Sequence, residues 1–136
     1  MLQIAIYIHL LVATGLALLA AYYLFGPVPT SYHAKILEKW KLEIQPQHKI
    51  GFQAINLILG ALLLALSLCI FVVTSFAITQ GILWAKLLIA SMGLITGCPA
   101  TYIAYKIEKA TGVKTPWRIA LAMTLCMILA FALSIN

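Results

Sequence analysis

The chain has 136 residues, 64% of them hydrophobic and 9% charged, with a net charge of +6 and a mean hydropathy of +1.06. So small a body cannot hide that much apolar surface from water, which excludes a water-soluble domain and leaves room for one membrane domain only. The basic excess does not read as a nucleic-acid footprint, because the lysines flank long apolar runs and alternate with aliphatics, as in a membrane protein.

Apolar runs of about 18 residues or more mark spanning helices. The first covers residues 2–25 and ends at "GPVP", where Pro27 and Pro29 stop a helix. It has no basic start and is long enough to span, so it is read as a retained transmembrane helix and not as a cleaved leader.

The next segment, "SYHAKILEKWKLEIQPQHK", holds six of the twelve charged residues and two of the three histidines. His33, Ile36, Leu37, Trp40 and Ile44 follow the spacing of one helical face, while Lys35, Glu38, Lys39 and Lys41 fall elsewhere on the wheel. This pattern predicts an amphipathic interfacial helix over residues 31–44, its lysines placed to meet anionic headgroups and "QPQ" breaking it.

The second span is expected over residues 51–78 and the third over 82–105, joined by the tight "TQG" connection. Within the third, Gly93 and Gly97 form a small-xxx-small face suited to close helix contact, and Pro99 is expected to kink the helix. Gly112 suits the left-handed residue that ends a helix. The fourth span is expected over 116–135, with Thr115 as N-cap and Pro116 in the first turn. The predicted fold is an all-α, up-down four-helix transmembrane bundle with the extra surface helix.

Eight of the nine basic residues lie in the first and third connections or at the start of the fourth span; Lys86 alone lies near the other face. The positive-inside rule therefore places loops 26–50 and 106–115 in the cytoplasm and both termini outside, in a bacterial inner membrane if the source is bacterial. Tyr22, Tyr23, Tyr32, Trp40, Tyr102, Tyr105 and Trp117 repeat the asymmetry, either as an anchoring belt or as the wall of a site at that face.

The candidates for chemistry are few. His33, Glu38 and His48 are the candidate acid–base groups, since histidine and a carboxylate beside a desolvated interface have separable pKa values. The alternative is a wet surface on which Glu38 and Glu43 pair with lysines. His9 lies about 10 Å into the first span at 1.5 Å per residue, whereas Gln53 and Asn56 lie near the opposite end of the second. One intramembrane histidine cannot ligate haem as a pair, and Cys69, Cys98 and Cys126 lack metal-type spacing. No cofactor and no metal are expected. The spans carry no carboxylate, unlike those of proton-coupled transporters.

"SYHAKILEKW" and "EKATGVKTPW" resemble segments of a group of small, four-span bacterial membrane proteins to which no activity is attached. The matching residues are Tyr32, His33, Trp40, Thr111, Gly112, Thr115, Pro116 and Trp117; where that group often carries an arginine early in span two, this chain offers Asn56. The resemblance implies the four-span architecture and brings both motifs to one face, with Tyr32, His33, Trp40, Asn56 and Trp117 as candidate ligand-binding residues. The expected function is binding of a lipid or apolar ligand, or membrane assembly, with a membrane enzyme acting on a lipid-like substrate and a small channel or transporter as alternatives. The expected partners are membrane lipids and a homo-oligomer or larger membrane complex, with no nucleic acid.

Overall fold

The computed structural model describes residues 1–43 and 45–135, and these include no strand. The α-helices are α1 (Leu2–Phe25), α2 (Ser31–Lys39), α3 (Pro46–Val73), α4 (Leu83–Thr111) and α5 (Trp117–Ile135), and a π-helical segment, Thr74–Ile78, continues α3. All but α2 are long and apolar enough to cross a bilayer. Without water to bond a bare backbone, helices are the form such segments take. The protein is a four-helix membrane bundle with a short fifth helix between its first two spans.

α1 is the middle of the bundle. It packs along α3 on one side and α5 on the other, while α4 packs along α5 and meets α3 chiefly around the π-helical segment. Small residues set these distances. A methyl group on Gly60 would come within 2.7 Å of Leu24 on α1, and one on Gly93 within 3.0 Å of Met127 on α5. At Gly97 it would collide with the Thr124 side chain. The Gly93/Gly97 face thus lies against α5. Ser67 adds a polar tie across the first pair, its hydroxyl donating to the Ala13 carbonyl at 2.7 Å; a serine hydroxyl and a backbone carbonyl satisfy each other where lipid offers neither a partner.

Several boundaries differ from those expected. α2 ends at Lys39, and Ile44, counted on its face, lies outside the described residues. The cause is a Schellman-type stop: Lys41 takes a left-handed conformation with φ 54°, its N–H donates to Glu38, and the Leu42 N–H donates to Leu37. α3 begins at Pro46, five residues before the expected start, with proline in the first turn, where its missing N–H costs nothing. α4 continues through Pro99 to Thr111, six residues past the expected end, until Gly112 closes it in the left-handed region with φ 67°. Its 29 residues make a rod about 44 Å long, longer than a hydrocarbon core of roughly 30 Å, so its last turns carry Lys106 and Lys109 beyond the apolar run.

Thr115 does not cap α5. Its hydroxyl donates to the Ala104 carbonyl at 2.8 Å and its N–H to Glu108 at 2.8 Å. The Pro116 carbonyl accepts the first bonds of α5, from Ile119 and Ala120. Glu108 also pairs with Arg118 at 3.0 Å, so one carboxylate holds the α4–α5 turn from both sides. At the other end, Lys86 is 9% exposed. Its ammonium donates to the Ser134 carbonyl at 2.5 Å, near the last residue of α5. A cation there meets the partial negative charge of the final carbonyls.

Two substitutions test this packing by unfolding in detergent. Gly97→Ile should destabilise by about 1–3 kcal/mol through overpacking, whereas Gly51→Ala, whose added methyl meets nothing within 4 Å, should be neutral or stabilising. Lys41→Gly should stabilise by about 1 kcal/mol, because glycine carries no penalty in the left-handed region.

Candidate functional site

The residues of interest gather at the lysine-rich end of the bundle, where α2 bridges two sides. The first end of α2 is stitched to α1. The Tyr22 hydroxyl lies 3.1 Å from Ser31 Oγ and the Tyr23 hydroxyl 3.2 Å from that of Tyr32. Tyr23 is buried, which removes it from the exposed aromatic belt. Ile36 is buried beneath the helix. The far end of α2 reaches α4, where Lys39 Nζ lies against Gly112 and Trp40 faces the last turns.

His33 is tied to the residue that precedes α2. Thr30 is the cap residue: its carbonyl accepts from the Ala34 N–H, and its fully buried hydroxyl bonds His33 Nδ1 at 2.7 Å. In a capping box the third helical residue is a glutamate that bonds the backbone N–H of the cap residue; the His33 ring bonds the Thr30 hydroxyl instead. The rings beside it are Tyr32, with centroids 4.0 Å apart, and Phe52 of α3, at 6.3 Å. Burial pushes the His33 pKa below its ordinary value of 6.5, favouring the neutral ring. Burial, and then the Tyr23 hydroxyl, push the Tyr32 phenol far up, so it stays protonated.

The other two candidate acid–base groups are elsewhere. Glu38 and His48 are exposed, and no hydrogen bond or ion pair joins either to His33 among the described residues. The candidate ligand-binding residues divide into two groups. Tyr32 and His33 face α1 and α3, and Asn56 is buried on α3 one turn from Phe52, its Nδ2 without a hydrogen-bond partner among the described residues. Trp117 belongs to the α4–α5 corner, edge-on to Tyr105 at 5.5 Å and under the Arg118 guanidinium at 4.6 Å. Trp40 is 56% exposed and lines a groove against α4.

That groove, about 430 Å³, is formed by Trp40, Lys106, Ile107, Lys109, Ala110 and Thr111. Its walls are hydrocarbon and indole, and its charges are the two lysines, with Lys106 also over the Tyr102 ring at 5.1 Å. Lys106, Lys109 and Ala110 share a face at i, i+3, i+4 spacing. Reading the third span as ending at residue 105 hid this face, although the spacing and Gly112 would have disclosed the extra turns. The groove offers apolar contact and two ammonium groups, and the Thr111 hydroxyl on its wall donates to the Ile107 carbonyl. No group of three or more histidine, cysteine or acidic side chains able to hold a metal ion occurs among the described residues.

The sign of the His33 shift gives a pH test. Its folded pKa lies below the unfolded value, so the unfolded chain binds the proton more readily. Its contribution is present above about pH 6.5 and is lost as pH falls through the folded pKa. The melting temperature in detergent should fall between pH 7 and pH 5, and His33→Gln should flatten that slope. An unchanged slope would show that the His33 proton does not set the pH dependence.

Comparison with protein-family models, with curated proteins and with solved structures returns no match for this chain.

Proposed function

We propose that the protein binds an anionic amphiphile, a membrane lipid, in the groove between Trp40 and the last turns of α4. The observation that carries this reading is the composition of the groove: apolar walls for a chain, with Lys106 and Lys109 at the level where the apolar run of α4 ends. Lys39, beside Gly112, adds a third ammonium on the same side. An acyl chain would lie against Ile107, Ala110 and the indole, which suits an apolar body with a wet edge. The phosphate would meet the ammonium groups, each worth about 1 kcal/mol near an anionic surface.

Eight basic residues at this end support placing it on the cytoplasmic side, with both termini across the membrane. Binding is favoured over catalysis because Glu38 and His48 stand exposed while the His33 ring is bonded to Thr30. It is favoured over proton-coupled transport because the apolar windows of the spans carry no carboxylate.

Native mass spectrometry of the protein in mild detergent, with equimolar phosphatidylglycerol and phosphatidylcholine, tests the reading. The anionic lipid should be retained preferentially. Lys106→Gln with Lys109→Gln should lower that preference roughly tenfold or more, from about 1 kcal/mol per lysine. Trp40→Ala should weaken retention of both lipids, and Lys49→Gln should change neither. Adducts indifferent to the groove variants would send the search to protein partners.

A further inference from the structure

A second polar site lies far from this groove, where α1 meets the π-helical segment. His9 and Thr74 are both fully buried. His9 Nε2 and Thr74 Oγ1 have no hydrogen-bond partner among the described residues. In an apolar interior such groups are costly unless something bonds them.

Thr74, like Thr101, departs from the habit of the other helical threonines. Thr14, Thr79, Thr96, Thr111 and Thr124 each donate to the carbonyl four residues back, the usual recourse of a helical threonine. Thr74 opens the π-helical segment and makes no such bond, and segments of this kind recur at functional sites.

The register brings the two residues toward the same level of the bundle. Ser67 bonds Ala13, which sets antiparallel α1 and α3 side by side. From that tie, His9 lies four residues along α1 and Thr74 seven along α3, about 6 Å and 10 Å in the same direction. Side chains lean toward the N-terminus of their own helix. His9 therefore leans toward Thr74, and Thr74 leans back toward His9, closing the difference in depth. Elements α1 and Thr74–Ile78 are in contact.

The hydrogen bonds already made decide what fits between them. His9 Nδ1 lies 2.8 Å from the Ala5 carbonyl. A carbonyl only accepts, so Nδ1 carries the proton, and Nε2 of the neutral ring presents a lone pair. The Thr74 hydroxyl both donates and accepts. The pair calls for a small group that donates to Nε2 and accepts from the hydroxyl. Both side chains are fully buried, so the group between them has to be small.

We propose that His9 and Thr74 form a buried site for a single water molecule, which donates to His9 Nε2 and accepts from Thr74 Oγ1. The water joins the π-helical segment to the central helix of the bundle. A buried water needs at least two polar partners, and these two provide that number.

Solid-state NMR of the full chain in phosphatidylcholine bilayers tests this. Histidine is labelled with nitrogen-15 in a His33→Gln, His48→Gln background, so His9 is the one labelled imidazole. Magnetisation passed from water protons should reach Nε2 in this protein, fall to background in Thr74→Val, and persist in Thr74→Ser, which keeps the hydroxyl. Absence of transfer before Thr74 is changed would overturn the proposal, and so would transfer unaltered in Thr74→Val. If the valine variant does not fold, the parent and the serine variant decide: transfer in both supports the site, and its absence from either one sinks it.

Discussion

The close approach of α1 and α3 is the constraint on which the rest of the structure depends. α1 is the helix that both halves of the bundle touch, and α3 is its longest partner. In lipid there is no hydrophobic force drawing two apolar helices together, so contact must come from fit and from polar ties. Gly60 supplies the fit against Leu24 and Ala20. The Ser67–Ala13 bond supplies the tie. One glycine and one serine, seven residues apart on α3, hold a register that then positions Phe52 beside His33 and Thr74 opposite the first turns of α1.

The second half of the bundle uses the same means. Gly93 and Gly97 admit Met127 and Thr124, and α5 completes the contact back to α1. The two halves meet along α1 and α5, with α4 also touching the Thr74–Ile78 segment, and at the lysine-rich end α2 spans from one half to the other. It does this with side chains: tyrosines at its start, a tryptophan and a lysine at its finish. The exposed charges of the protein are concentrated on this bridge and on the protruding turns of α4, which is why the groove found there combines lysine with hydrocarbon.

The spans were legible because a long apolar run in lipid has one structural answer. The glycine face of α4 and the left-handed stop at Gly112 were legible for equally local reasons. The end of α2 was not. A left-handed lysine at position 41 has no sequence signature, since that conformation ordinarily selects glycine. The Thr115 cap failed for a different reason: its hydroxyl found the Ala104 carbonyl eleven residues back, a tertiary bond that outcompetes a local one. Tyr32 and His33 were picked out from the segment itself. Their roles depend on Thr30, Tyr23 and Phe52, which only packing brings near. The π-helical segment left no mark in the apolar run of span two.

Lys86 has a consequence for how the bundle is made. Its ammonium is bonded to Ser134, almost at the end of the last helix. While α4 stands alone in a bilayer, that charge has no such acceptor and must reach for the headgroups along its flexible stem. Only when α5 arrives can α4 settle to its final depth. The last two helices are thus coupled in depth as well as in packing, because the end of α5 supplies the acceptor that the start of α4 needs.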